Sequence, residues 1–270
     1  MNICTRLLAV LAVALAIAAP AHAGRSCESR PLTSAALERG LAMAERTHRA
    51  LEAEHERSGT RVVALARAGQ DLTRWNLRWS HLGWAYREER DGAVAWRIVH
   101  KLNHCGSAEA AVYRQGLGEF FLDDLWHAEA AWSVPTAAVQ DALWPVLADD
   151  RRASALHQRA YSMVSYAWAQ RYQQSNQWAI ETLAAAMEPQ AATRDRAQAW
   201  LRLKGYEPSA LRIGPLTRLG GRLTATNVAF DDHPDEKRFS DRIETVTADS
   251  VFAWLRRSGL GGAPVTLRNP

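Results

Sequence analysis

Two neighbouring segments, WSHLGWAYREE (residues 79–89) and VAWRIVHKLN (residues 94–103), decide the fold. Both are rich in aromatic and β-branched residues, which favour strands. Asp91 and Gly92 lie between them, and Asp-Gly is a preferred two-residue turn of β-hairpins. The sequence therefore predicts an antiparallel hairpin with this turn at its tip.

The turn also fixes which residues face each other across the hairpin. With Asp91 and Gly92 at the tip, Gly83 pairs with His100. His81 and His100 then lie on the same face as diagonal neighbours, about 7 to 8 Å apart. A slip of one residue would place the two histidines on opposite faces. Their meeting is therefore a test of the predicted register.

Helical spacing of apolar residues and end signals predict most of the remaining elements. Helices are predicted over residues 33–57, 107–124 (broken near Gly116 and Gly118), 135–149, 176–187, 192–205 and 247–259. Strands are predicted over residues 60–69 and 222–230, and residues 161–168 fit a strand or a loop. Residues 231–236, DDHPDE, are predicted to form a solvated turn. These elements indicate an α/β (α+β) fold, in which a small antiparallel sheet packs on a central helix with further helices around it.

The N-terminal segment has the features of a secretory signal peptide. Arg6 precedes an apolar run that ends at Ala19, and an Ala-His-Ala cleavage site precedes Gly24. A membrane anchor is the competing interpretation, but the run is shorter than the roughly 20 residues that span a bilayer. We therefore expect a signal peptide over residues 1–23 and a periplasmic or secreted protein without a transmembrane segment. Residues 24–270 are expected to form one unit, with a looser section from about residue 206.

Two cysteines, Cys27 and Cys105, remain after removal of the signal peptide. An even number of cysteines in an oxidising compartment favours a disulfide bond. Two separate buried thiols are the alternative.

The distribution of charge along the chain limits the classes of molecule that the protein is expected to bind. The formal net charge is +4, and basic residues interleave with acidic ones instead of forming a concentrated stripe. Nucleic acid is therefore not an expected partner. The chain contains 11 tryptophans, most of which we expect in the core.

Three segments in chain order carry a resemblance: SHLGWAY (residues 80–86), His100 and QSNQW (residues 174–178). They resemble the circularly permuted papain-like proteins of the NlpC and lecithin retinol acyltransferase type. The chain is also identified as a member of the bacterial secreted domain-of-unknown-function family 2145. The papain-like resemblance implies a permuted papain-like fold, with a histidine that opens a strand, a polar partner on the next strand and a nucleophile at a helix start.

The resemblance implies catalytic roles for three residues. His81 would be the base, His100 would orient it, and Ser175 would occupy the position of the usual cysteine nucleophile. An alcohol needs a well-placed general base because it is far less acidic than a thiol. The competing interpretation is structural: serine is among the best N-cap residues, and His81 would then be a hydrogen-bonded structural residue. Three tryptophans next to the proposed site are expected to contact the substrate: Trp79, Trp84 and Trp178.

Two functions follow as hypotheses. The first is a papain-like hydrolase or acyltransferase that acts on an amide or ester in a peptide, glycopeptide or acyl ligand of the cell envelope. The alternative is a non-catalytic binding or scaffold protein of the cell envelope on the same fold. No metal or other cofactor is predicted, because His100, His104 and Cys105 lie where a strand runs into a loop and not on one helical face.

Overall fold

The structure is a computed structural model that describes residues 31–123 and 125–268. The predicted signal peptide and Cys27 lie outside the described residues, so the cleavage site and the disulfide bond stay predictions. Within the described ranges, no helix is long and apolar enough to cross a membrane.

The strands are β1 (Val62–Arg67), β2 (His81–Arg90), β3 (Ala93–Asn103), β4 (Ala110–Gly116), β5 (Glu129–Ser133), β6 (Ser209–Arg212), β7 (Arg242–Thr245) and β8 (Val265–Arg268). The helices are α1 (Ser34–Ser58), α2 (Leu117–Phe121), α3 (Ala137–Leu147), α4 (Asp150–Ala153), α5 (Ser175–Met187), α6 (Arg194–Leu203), α7 (Pro215–Thr224), α8 (Asp235–Arg238) and α9 (Ala248–Arg257). A short 3₁₀ helix spans Thr73–Trp75. The mixed α/β fold class is therefore confirmed.

A six-stranded antiparallel sheet forms the centre, with strand order β4-β3-β2-β1-β5-β8. The predicted hairpin is confirmed in its register, since Trp84 pairs with Val99 in the β2–β3 ladder. Asp91 and Gly92 both adopt the left-handed backbone that this type of turn requires. The hairpin occupies the middle of the sheet, and so its register positions the residues on both faces.

Helices cover both faces of this sheet. Trp84 and Val99 belong to a core cluster that also contains residues of α5, while Ala85 and Ile98 belong to a cluster with α1 and α2. Side chains alternate between faces along a strand, so the two clusters are separated by the sheet itself.

The central helix α5 begins at Ser175, but Gln174 is its N-cap. The side-chain oxygen of Gln174 accepts a hydrogen bond from the backbone N–H of Asn176 over 3.1 Å. The expectation that Ser175 caps the helix is therefore wrong, because the longer glutamine side chain folds back onto the first turn. The Ser175 hydroxyl is left for other contacts.

A buried ionic network holds α5 against α6. Glu181, whose side chain is fully buried, accepts hydrogen bonds from Arg194 (2.8 Å) and from the amides of Gln173 and Gln198. A buried carboxylate is stable only when its oxygens are paired in this way. The network therefore fixes the helix whose first turn reaches the cavity described below.

Two predicted elements are wrong. The segment predicted as a broken helix over residues 107–124 contains β4 and the short helix α2 in its described part, because residues 110–116 pair with β3 along the edge of the sheet. Residues 222–230 form the end of α7 and a turn instead of a strand.

The prediction of a solvated turn over DDHPDE holds only in part: Asp235 and Glu236 are exposed at the start of α8, but the residues before them are largely buried. The side chains of Asp232 and His233 are fully buried, and Nδ1 of His233 lies 2.9 Å from Asp232 Oδ1. Asp232 also accepts a hydrogen bond from the backbone N–H of Tyr166 over 2.9 Å. These polar groups are buried because they hold the turn against the loop after α4.

Candidate functional site

The site begins with the histidine pair on the hairpin. Nε2 of His81 lies 2.8 Å from Nδ1 of His100, and their ring centroids are 5.0 Å apart. Gly83 makes room for this packing, because a Cβ atom there would lie 2.9 Å from the Cβ of His100. The histidines therefore meet as diagonal neighbours on one face of the hairpin.

A third side chain fixes the proton positions in the pair. Nε2 of His100 lies 2.8 Å from Gln115 Oε1 on β4. An amide oxygen only accepts, so His100 donates from Nε2 and its Nδ1 accepts from Nε2–H of His81. His81 then carries its lone pair on Nδ1, to which no hydrogen bond is made by any residue within the described ranges.

Electrostatics keep both imidazoles neutral. Burial lowers the pKa of His81 well below its usual value, and the positive charge of Arg67 lowers it further. Burial and Arg67 also lower the pKa of His100 to about 3, although the hydrogen bond to Gln115 opposes this change. Both rings are therefore neutral at pH 7, which is the state that can accept a proton.

The neighbouring arginine is itself held in place. Arg67 is buried, and its guanidinium donates hydrogen bonds to the carbonyl of Phe120 and to the carboxylate of Asp123. Its carbon Cζ lies 4.7 Å from the centre of the Phe120 ring. This fixed charge adds to the larger effect of burial, which keeps both histidines neutral.

The start of α5 is tied to the strand that carries His81. The side-chain oxygen of Asn176 accepts a hydrogen bond from the backbone N–H of Leu82 over 3.0 Å, and its amide donates to the carbonyl of Val246. The β2–β3 ladder ends at the pair Trp84 and Val99, so Asn176 takes the place of the missing strand partner. The first turn of α5 is thereby tied to the strand position next to His81.

Both residues line one cavity of about 710 Å³. Burial raises the pKa of Tyr161, and the neighbouring Ser175 side chain opposes this rise. Within the described part of the chain, the backbone N–H of Ser175 has no acceptor. The cavity is thus lined by a serine and by a histidine whose imidazole is neutral.

The prediction that three tryptophans contact the substrate needs correction for two of them. Trp84 and Trp178 are fully buried, and their indole N–H groups donate to the carbonyls of Ala179 and Ala153. They are core residues and line neither of the two cavities at the site, because they are packed between the sheet and α5. Trp79 lines a smaller adjoining cavity and remains a candidate contact.

Several site residues were not predicted from the sequence. Gln115 was missed because β4 was interpreted as part of a helix. Tyr161 was missed because residues 161–168 gave no clear pattern. Asn176 could have been found, since it follows Ser175 directly at a predicted helix start.

Metal ligation finds no support in the described residues: no three His, Cys, Asp or Glu side chains lie close enough together to hold an ion. His104 lies beside Tyr113, with ring centroids 6.4 Å apart. Cys105 lines the larger cavity.

Fold and site together define an α/β protein with a polar cavity next to a neutral histidine pair. The chain belongs to a bacterial family described as "uncharacterized protein conserved in bacteria (DUF2145)", whose model matches residues 54–255. This membership confirms the family expected from the sequence. No curated protein and no solved structure matches the chain, so the papain-like resemblance has no support from known proteins.

Proposed function

We propose that the protein is an acyl-transferring hydrolase, in which Ser175 attacks a carbonyl carbon and His81 accepts the proton. The observation that carries the proposal is that His81 and Ser175 line one cavity while Nε2 of His81 is held by His100. The Nδ1 lone pair of His81 has no partner within the described ranges. A nucleophilic serine needs such a base, held in one orientation by a third group.

The reaction proceeds in two steps. Oγ of Ser175 bonds to the carbonyl carbon as its proton passes to Nδ1 of His81, and the leaving group departs with that proton. Water then attacks the acyl-serine while His81 accepts a proton from the water, and the acid is released as Ser175 regains its proton. The unpaired N–H of Ser175 at the start of α5 supports stabilisation of the oxyanion.

The lowered pKa of His81 favours substrates that have a good leaving group. Protonated His81 would face the positive charge of Arg67 in a buried setting, which is why its pKa is lowered. A weak base assists best when the leaving group is good, as in an ester. We therefore expect esters to react faster than amides.

The chain order of His81, His100 and Ser175 supports a permuted papain-like arrangement as part of this proposal. The predicted signal peptide supports substrates in the cell envelope, such as a peptide, glycopeptide or acyl ligand. His100 acts as a positioning residue in this scheme, because it contacts His81 and not the reacting atoms.

A second candidate is a non-catalytic binding protein, which the contact between Ser175 and Tyr161 favours. The Ser175 side chain neighbours Tyr161, and no hydrogen bond joins Ser175 to His81 within the described ranges. In a binding protein, the cavity would hold a ligand, and Ser175 would be one of the residues that line it.

Acyl-enzyme trapping separates the two candidates. We expect brief treatment with 4-nitrophenyl acetate to add one acetyl group, which peptide mass spectrometry places on Ser175. Ser175→Ala should remove the adduct, and Ser80→Ala should keep it, since Ser80 lines the same cavity but donates to the carbonyl of Arg67. Wild-type protein without an adduct on Ser175 would support the binding protein and contradict the hydrolase.

A further inference from the structure

A second cavity, of about 130 Å³, adjoins the first at the candidate site. The two cavities share six lining residues: Gln70, Ser80, His81, Tyr161, Met163 and Ser175. Ser175 and His81 therefore lie at the junction between the two spaces. A group bonded to Ser175 has access to both.

The two cavities differ in chemistry. Arg67, Glu119 and Asp123 place charges along the larger one. Apart from the shared residues, the walls of the smaller one include Leu72, Trp75, Leu77, Trp79, Val164 and Ile213. An apolar lining next to a few convergent polar groups is typical of ligand sites.

One wall of the smaller cavity is firmly anchored. Asp249 accepts hydrogen bonds from the backbone N–H groups of Arg78 and Trp79, each over 3.1 Å. Leu77 and Val164 pack against a minor core cluster that contains Leu211, Ile213 and Ile243. The space is therefore preformed, which reduces the entropy lost when a ligand binds.

The volume limits what can enter. An apolar cavity of about 150 Å³ holds a benzene molecule. A cavity of about 130 Å³ accordingly fits a branched aliphatic chain or a single ring, and a long acyl chain exceeds it. The size thus distinguishes compact apolar groups from lipid tails.

We propose that the smaller cavity binds a compact apolar group of the substrate, of the size of a leucine or phenylalanine side chain, while the polar remainder occupies the larger cavity. This assignment rests on the proposed function, because it places the carbonyl at Ser175. It predicts a substrate with an apolar acyl portion and a polar leaving portion.

The test uses benzene and the full chain, with binding followed through NMR shifts of the indole N–H groups of Trp75 and Trp79. Val164→Phe should fill the smaller cavity and weaken benzene binding about tenfold or more. Thr226→Phe is the matched control, because Thr226 lines only the larger cavity. Leu77→Phe is a second filling variant, and the melting temperature of each variant checks folding.

A parallel measurement compares hydrolysis of 4-nitrophenyl butyrate with that of the decanoate. We expect kcat/KM to be higher for butyrate, and Val164→Phe to reduce it for butyrate. Absent benzene binding, or binding unaffected by both filling variants, would overturn the assignment even if hydrolysis depends on Ser175. Specific benzene binding without Ser175-dependent hydrolysis would instead support the apolar site and contradict the proposed function.

Discussion

Within the described residues, the histidine clusters around His233 and His81 differ in their access to a cavity. His233 has a carboxylate partner, Asp232, but packs near Tyr166 and Phe230, with ring centroids 5.2 and 6.3 Å away. His81 has only a neutral imidazole partner, yet it lines the cavity that contains Ser175. An acidic partner alone does not make a general base, because the free nitrogen must also reach a space that a substrate can enter.

The two clusters differ in the surroundings of the imidazole nitrogen that has no hydrogen-bond partner. Nε2 of His233 is buried and has no hydrogen-bond partner within the described ranges. Nδ1 of His81 is also without a partner there, but its ring is partly exposed in the cavity. The first cluster therefore stabilises a turn, whereas the second is available for chemistry.

The largest expected effect concerns the rate of ester hydrolysis. His81→Ala should lower kcat/KM by about a thousandfold, because general-base catalysis contributes about 10² to 10⁴. His233→Ala should leave kcat/KM within about twofold of wild type at a temperature where the variant stays folded. Equal losses in both variants would contradict the distinction between the clusters.

The next effect concerns stability. Asp232→Ala should lower the free energy of unfolding by about 1 to 3 kcal/mol, because it leaves the Tyr166 N–H and Nδ1 of His233 buried without an acceptor. Urea denaturation measures this change. Asp231→Ala is the control, because its partner Arg171 is largely exposed and such pairs contribute about 0 to 1 kcal/mol. A loss no greater than that of the control would show that the buried pair does not hold the turn.

A third effect, of similar size, concerns the pH dependence of stability. The unfolded chain protonates His100 below about pH 6.5, but the folded chain does so only near a pKa of about 3. The unfolded state thus binds more protons between these values, and stability falls as the pH falls through this window. The contribution of one histidine is at most about 1.4 kcal/mol per pH unit.

His100→Gln removes this contribution and retains a polar side chain. We expect its free energy of unfolding to change less steeply than that of wild type between pH 6 and pH 4, as measured by urea denaturation at each pH. The carboxylates are common to both proteins and cancel in the difference. Parallel curves would mean that His100 is not held neutral.

Local signals in the sequence predicted the centre of the fold. The Asp91-Gly92 turn and the alternation on either side fixed the hairpin register, and the register placed His81 beside His100. The helices around residues 34–58, 175–187 and 248–257 followed from apolar spacing and end signals. These features depend on residues close together in the chain, which is why sequence patterns capture them.

Features that depend on distant residues could not be predicted in this way. The strands β5 and β8 are short, and each exists because a distant strand pairs with it. Gln115 joins the site only because β4 pairs with β3, and its segment has helical composition. Trp84 and Trp178 are buried because α5 packs on the sheet. The spacing of apolar residues in the sequence does not predict where a helix packs.

A crystal structure of the protein after reaction with a small alkyl fluorophosphonate would test the pairing of Ser175 with His81 most directly. The account predicts phosphorus bonded to Oγ of Ser175, with Nδ1 of His81 within about 2.6 to 3.2 Å of that oxygen or one water away. An adduct on another residue, or a His81 ring turned away from Ser175 with packed side chains between them, would contradict it.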